Sequence, residues 1–132
     1  MARDTEFLLD ASALLAVMRA EPGAGEVLRI IDRAAIHSVQ IAEVVRKLRE
    51  LGVDPDEVEG SIQELCLPVI EVLSVRQACN TGRYCLGGLS LGDRICLAMA
   101  SSHGSTAVTA DRRWKEVCDA NAELNVRVML IR

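Results

Sequence analysis

Five short apolar runs, separated by segments of helical periodicity, leave this chain few folds. The runs are Phe7 to Leu9, Ala35 to His37, Pro68 to Leu73, Ala107 to Thr109 and Val126 to Ile131. Each is long enough for one buried strand and too short for a helix. Strands that alternate with helices imply a mostly parallel sheet with helices on both faces. No repeat, low-complexity tract or Pro/Gly-rich linker interrupts the pattern, so residues 1–132 read as one α/β domain. At 132 residues such a chain buries roughly two thirds of its unfolded surface, enough for a core without disulfides or a structural metal.

Start signals for the helices are legible. Ser12 precedes Ala13, Leu14 and Leu15. Asp54-Pro55-Asp56-Glu57 supplies a cap, a first-turn proline and acids, and Ser74 with Gln77 has capping-box spacing. Ser90 with Asp93 has the same spacing. Between Ile41 and Leu51, the residues Ile41, Val44, Val45, Leu48 and Leu51 share one helical face, which predicts an amphipathic helix. Ile95 to Ala100 is apolar all round, as in a helix packed between other elements.

Composition narrows the function. The aromatics, Phe7, Tyr84 and Trp114, are too few for a base-stacking platform. Fifteen Lys and Arg against 19 Asp and Glu, net −4, disfavour a passive coat on nucleic acid. Neither point excludes a phosphodiesterase, because a metal ion can supply positive charge locally. No apolar run approaches the ~18 residues that span a bilayer. The opening Met-Ala-Arg-Asp-Thr-Glu does not read as a secretory signal, so a cytoplasmic protein is expected. Cys66, Cys79, Cys85, Cys96 and Cys118 form an odd set without a Cys-x-x-Cys pair, and are expected to be buried thiols in a reducing compartment.

In open parallel sheets ligands bind at the carboxyl ends of strands. Asp10 ends the first run, Asp111 follows the fourth, and Asp93 falls in the first turn of the most apolar helix. Each has an ordinary reading: Asp10 as a turn residue, Asp93 as a capping-box acid, Asp111 as a helix N-cap. Asp93 also shares a helical face with Leu97 and Ala100, which points its carboxylate toward low-dielectric surroundings where an ion needs a cation or several donors. Carboxylates gathered there raise one another's pKa unless something positive intervenes, and oxygen donors suit Mg²⁺ or Mn²⁺. For Glu43, periodicity leaves open both an ion pair with Lys47 and a metal role.

Four stretches then carry a resemblance. They are Leu9-Asp10-Ala11-Ser12-Ala13-Leu14; Ser38 with Ala42-Glu43-Val44 and Leu48; Leu89-Ser90-Leu91-Gly92-Asp93 with Ala98 and Ala100; and Thr109-Ala110-Asp111-Arg112-Arg113-Trp114. In this order and spacing they resemble the PIN-domain pattern over essentially the whole chain, in particular the VapC-like toxin ribonucleases of bacterial and archaeal toxin–antitoxin pairs. The resemblance implies an α/β/α sandwich around a mostly parallel sheet of about five strands. It implies that Asp10, Glu43, Asp93 and Asp111 hold Mg²⁺ or Mn²⁺, with the hydroxyls of Ser12 and Thr109 supporting them. It implies hydrolysis of RNA by a metal-activated water, leaving a 5′-phosphate and a 3′-hydroxyl, and a homodimer neutralised by a small antitoxin. Asp4 and Glu6, ahead of the first strand, fall outside the pattern, and Asp119 is either an auxiliary acid or a solvated helix end.

Arg112, Arg113 and Lys115 follow Asp111; Arg46, Lys47 and Arg49 share the helix of Glu43; Arg94 adjoins Asp93. These are solvated charges or contacts to RNA phosphates. A metal-free ribonuclease needs a pair of acid–base groups, and only His37 and His103 are available. His103 precedes Gly104 at an apparent helix end, while His37 ends the second run. Phosphoaspartyl phosphatases want Asp-x-Asp where this chain has Asp10-Ala11-Ser12, and the acidic pair of receiver domains is absent. Two alternatives stay within the resemblance: a solitary RNA-processing nuclease, and an inactive binding module, which retention of all four acids disfavours.

Overall fold

Successive side chains of a strand point to opposite faces, so strands apolar on both faces need cover on each side. The computed structural model, which describes residues 5–132, meets that need with one core per face. The strands are β1 (Phe7–Leu9), β2 (Ala34–His37), β3 (Val69–Ile70), β4 (Thr106–Thr109) and β5 (Arg127–Leu130). They lie in the order β3-β2-β1-β4-β5 with every pairing parallel. The helices are α1 (Ala11–Arg19), α2 (Ala24–Ile30), α3 (Ser38–Glu50), α4 (Pro55–Glu64), α5 (Val75–Asn80), α6 (Leu91–His103) and α7 (Arg112–Ala120). Leu9, Ile36 and Val108 pack with α1 to α4 on one face. Leu8, Ala35 and Ala107 pack with α6 and α7 on the other. The result is the expected α/β/α sandwich. Asp4 lies outside the described residues, while Glu6 pairs with Arg33 at 2.9 Å.

The order places the switch point beside β1. From β1 the chain winds outward through β2 to β3, then crosses back to β4 on the other side of β1. At such a reversal the connections leave a crevice outside the carboxyl ends of the strands.

Several expected boundaries move. Only Val69–Ile70 of the third run forms a strand, at the edge of the sheet, where among the described residues it pairs with β2 alone, through Ile36 and His37. Edge strands are characteristically short, and Val72 beyond it is exposed. The N-cap of α1 is Asp10, whose side chain accepts from Ala13 N, and Ser12 is inside the helix. The helix begins directly off the strand, so the single residue between them becomes its cap. Asp54 caps α4, and both capping boxes form. On α3, Val44 and Leu48 are buried, but Leu51 lies past the last turn and is 57% exposed. Cys96 and Cys118 are buried, whereas Cys66, Cys79 and Cys85 are exposed, since on those segments neighbours such as Leu67 and Tyr84 take the positions that face the cores. All five thiols are free. Among the described residues no helix is long and apolar enough to cross a membrane.

One glycine is dictated by close approach. Gly23 has φ +99°, and a Cβ there would lie 2.6 Å from the carbonyl oxygen of Ile131. That backbone is held by the bond from Ile131 N to Thr109 O, so it cannot yield. Gly23→Ala should lower stability by about 2 kcal/mol or more, read as a denaturant midpoint shift with unchanged slope.

Candidate active site at the carboxyl edge of the sheet

Three of the expected acids sit at helix starts that converge on the crevice: Asp10 caps α1, Asp93 is in the first turn of α6, and Asp111 caps α7. Helix N-termini favour negative charge, which makes these positions tolerable for carboxylates. Together with Glu43 on α3 they line one cavity of about 420 Å³, whose wall also includes Ser12, Gln40, Arg46, Lys47 and Arg113. A second cavity, about 470 Å³ between α5 and α6, has Arg76 and Arg83 in its wall and none of the acids.

Asp10 is the fixed member. It is only 5% exposed. Its Oδ1 accepts from Ser12 Oγ at 2.7 Å and from Ala13 N at 2.9 Å, and its Oδ2 accepts from Thr109 Oγ1 at 2.6 Å. Each hydroxyl has one proton and gives it to Asp10, so the 3.4 Å contact between Ser12 Oγ and Thr109 Oγ1 is left without a proton to share. The same oxygens accept from the chain after β4: Ser12 Oγ from Ala110 N at 2.9 Å, Thr109 Oγ1 from Asp111 N at 3.0 Å. Two hydroxyls thereby bind the end of β1 to the start of α7.

Burial nevertheless outweighs these bonds. The Asp10 carboxyl is pushed up to about 6, with desolvation the main cause, the three hydrogen bonds opposing it, and the charge of Asp93 adding a little. Cys96 beneath the site is pushed well above the usual thiol range, first by burial and then by Asp10 and Asp93. A buried carboxylate with a second acid in electrostatic range is a place that wants a cation.

The other three acids are half-buried, Asp93 included, less deeply than its helical face suggested. Asp93 Oδ2 accepts from Ser90 N at 2.9 Å, closing the capping box. Asp111 accepts from the Arg113 guanidinium at 2.7 and 3.1 Å, which holds its carboxyl below the usual carboxylate range. Glu43 meets Arg46 at 3.3 Å, where the spacing suggested Lys47. Among the described residues, no three acids stand close enough in these rotamers to share an ion. The donor set fits a hard divalent cation all the same: four carboxylates line one cavity, the Glu43–Arg46 pair is a surface ion pair worth about 0–1 kcal/mol, and the tighter Asp111–Arg113 pair keeps its carboxylate ionised for a metal.

Of the expected phosphate contacts, Arg46 and Arg113 line the cavity with Lys47. Arg94 lies beside it, its guanidinium directed to Ser90 O and Cys85 Sγ. Arg112 is not in the wall, and Lys115 pairs with Asp119 at 3.6 Å. His37 is buried away from it: Nδ1 accepts from Val39 N, so the neutral ring donates through Nε2 to Val72 O. The residue that sequence reasoning passed over is Gln40. Nothing in an amphipathic pattern flags a glutamine, yet it is 3% exposed at the back of the cavity.

A parallel α/β/α sandwich with an acid-lined crevice at its switch point is the class that fold and site define. Within it, the chain belongs to the PIN domain family, whose model matches residues 7–120. PIN domains are generally nucleases and generally depend on divalent metal ions. No curated protein sequence matches the chain. Among solved structures, a DNA-bound VapBC from Salmonella typhimurium superposes with TM-score 0.71 at 18% identity, over 96% of this chain and 98% of that one. VapBC2 from Rickettsia felis, bound to a promoter DNA fragment, gives 0.68 at 14% identity, over 94% and 97%. FitAcB from Neisseria gonorrhoeae gives 0.61 at 15%, over 95% and 97%. At these identities the likeness speaks for the fold.

Proposed function

We propose that the chain is a divalent-metal-dependent endoribonuclease, the toxin of a toxin–antitoxin pair. The observation that carries this reading is the cavity itself, which Asp10, Glu43, Asp93 and Asp111 line from four separate elements. Asp10, immobilised by Ser12, Thr109 and Ala13, is the anchor. Glu43, Asp93 and Asp111 complete the oxygen set by turning from Arg46, Ser90 and Arg113. Mg²⁺ or Mn²⁺ held there supplies Lewis acidity, both to make water nucleophilic near neutral pH and to offset charge on the phosphate. Arg46, Lys47 and Arg113, on the same wall, take the phosphates of an RNA strand, with Arg94 at the edge. With few aromatics, the grip is on backbone and shape rather than on stacked bases.

Purified protein should cut RNA with Mg²⁺ or Mn²⁺, lose the activity in EDTA and regain it on adding metal. Asp93→Asn, which keeps an acceptor for Ser90 N, should cost about 100-fold or more in rate. Cleavage that persists in EDTA, or an Asn variant as active as its parent, would sink the assignment. Sustained inactivity of the parent with metal would favour a binding module. The antitoxin partner is supported by the VapBC likenesses, and a homodimer is proposed with it. A short upstream reading frame encoding a DNA-binding protein distinguishes this toxin, expected in the cytoplasm, from a solitary processing nuclease.

A further inference from the structure

The side-chain amide of Gln40 joins three of the four elements that carry the acids. Its Oε1 accepts from Ala11 N at 3.2 Å, and Ala11 directly follows Asp10. Its Nε2 donates to Gly92 O at 2.7 Å, and Gly92 directly precedes Asp93. Gln40 itself belongs to α3, one turn before Glu43. The approach of α3 to α6 is close at this point: a Cβ on Gly92 would lie 3.7 Å from Glu43 Cγ and 3.9 Å from Gln40 Nε2.

Both backbone groups belong to first turns of helices. Ala11 N is one of the amides that α1 cannot satisfy internally. No other side chain among the described residues bridges two of the acid-bearing elements to α3 in this way. We infer that Gln40 is a positioning residue, which sets the separation of Asp10, Glu43 and Asp93 through the two hydrogen bonds of one buried amide. It touches neither substrate nor ion in this role. The inference rests on the metal-dependent reading above and adds to it the part that fixes the geometry.

An amide is required because one end must accept and the other must donate. A methionine of similar length fills the space and does neither. Asparagine keeps both groups but is one methylene shorter, so it reaches Ala11 N or Gly92 O but not both. The expectation for Gln40→Met and Gln40→Asn is a folded protein whose Mn²⁺ affinity falls about 10- to 100-fold, the usual effect of removing a partner that orients a metal site. At saturating metal, the KM for RNA should change little, and kcat should drop.

Mn²⁺ binding by isothermal titration on the parent and both variants, each well below its melting temperature and checked by circular dichroism, decides the matter. A purely structural glutamine would lower the melting temperature and leave the Mn²⁺ dissociation constant within about twofold of the parent, and that result overturns the inference. If Gln40→Met does not fold, Gln40→Asn alone carries the comparison. A parent that binds no Mn²⁺ overturns the metal reading and this role with it, whereas a parent that binds beside variants that bind equally overturns this role alone.

Discussion

Asp10→Asn should lower RNA cleavage by about 100-fold or more and, in metal-free buffer above pH 6, make the protein more stable. The first effect follows from loss of the anchoring carboxylate. Positioning partners cost about 10- to 100-fold when removed, so a proposed ligand should cost at least the upper figure. The second follows from the Asp10 carboxyl being raised from 3.8 to about 6 by burial. Between those values the native state binds a proton that the unfolded chain releases, so stability falls as pH rises through the window. A displacement of about two pKa units corresponds to about 3 kcal/mol, absent below the window and fully incurred above it.

Asparagine fills the same volume, accepts from Ser12 and Ala13 through its oxygen, and carries no charge to desolvate. The Thr109 hydroxyl, which now donates to Asp10, must turn to accept from the new amide. Asp111, lowered by Arg113, contributes in the opposite sense and below pH 3.8, so it does not blur the comparison. Denaturant melts of parent and variant from pH 4 to 8 with EDTA present should diverge through that window, and Mg²⁺ should stabilise the parent only. Parallel curves would show that Asp10 pays no desolvation cost.

Trp114→Ala should destabilise the protein by about 3–5 kcal/mol, a large share of the 5–15 kcal/mol typical of a domain. Trp114 is fully buried among the residues that join α6 and α7 to the sheet. Its buried indole Nε1 has no hydrogen-bond partner among the described residues, already a cost in the native state. Trp114→Phe leaves a smaller void and removes that donor, so it should cost less than about half as much as the alanine. Because Asp111 caps α7, the alanine variant should also lose metal affinity while still folded, whereas phenylalanine should largely retain it. Equal losses for the two variants in urea melts would contradict the account.

The fold was legible because strands buried on both faces leave apolar runs that survive any reading of the helices between them. Phe7 to Leu9 and Ala107 to Thr109 announce themselves that way, and capping spacings announce α4, α5 and α6. Asp10, Asp93 and Asp111 were visible for a related reason: each stands where a helix begins, beside a strand end or a capping serine. The burial of cysteines was not legible, since thiols serve on connections as well as in cores.

By itself the sequence determined which residues can meet at the carboxyl edge, because periodicity places strand ends and helix starts within a few positions. Only the tertiary structure decided how they meet. The bridge from Gln40 to Ala11 and Gly92 spans 29 and 52 positions, and the depth of Asp10 depends on contacts as remote as Thr109. Local propensity carries no information about those distances. They are set by packing of α1, α3 and α6 against one sheet, where a buried amide must find its partners or lose the energy of its hydration.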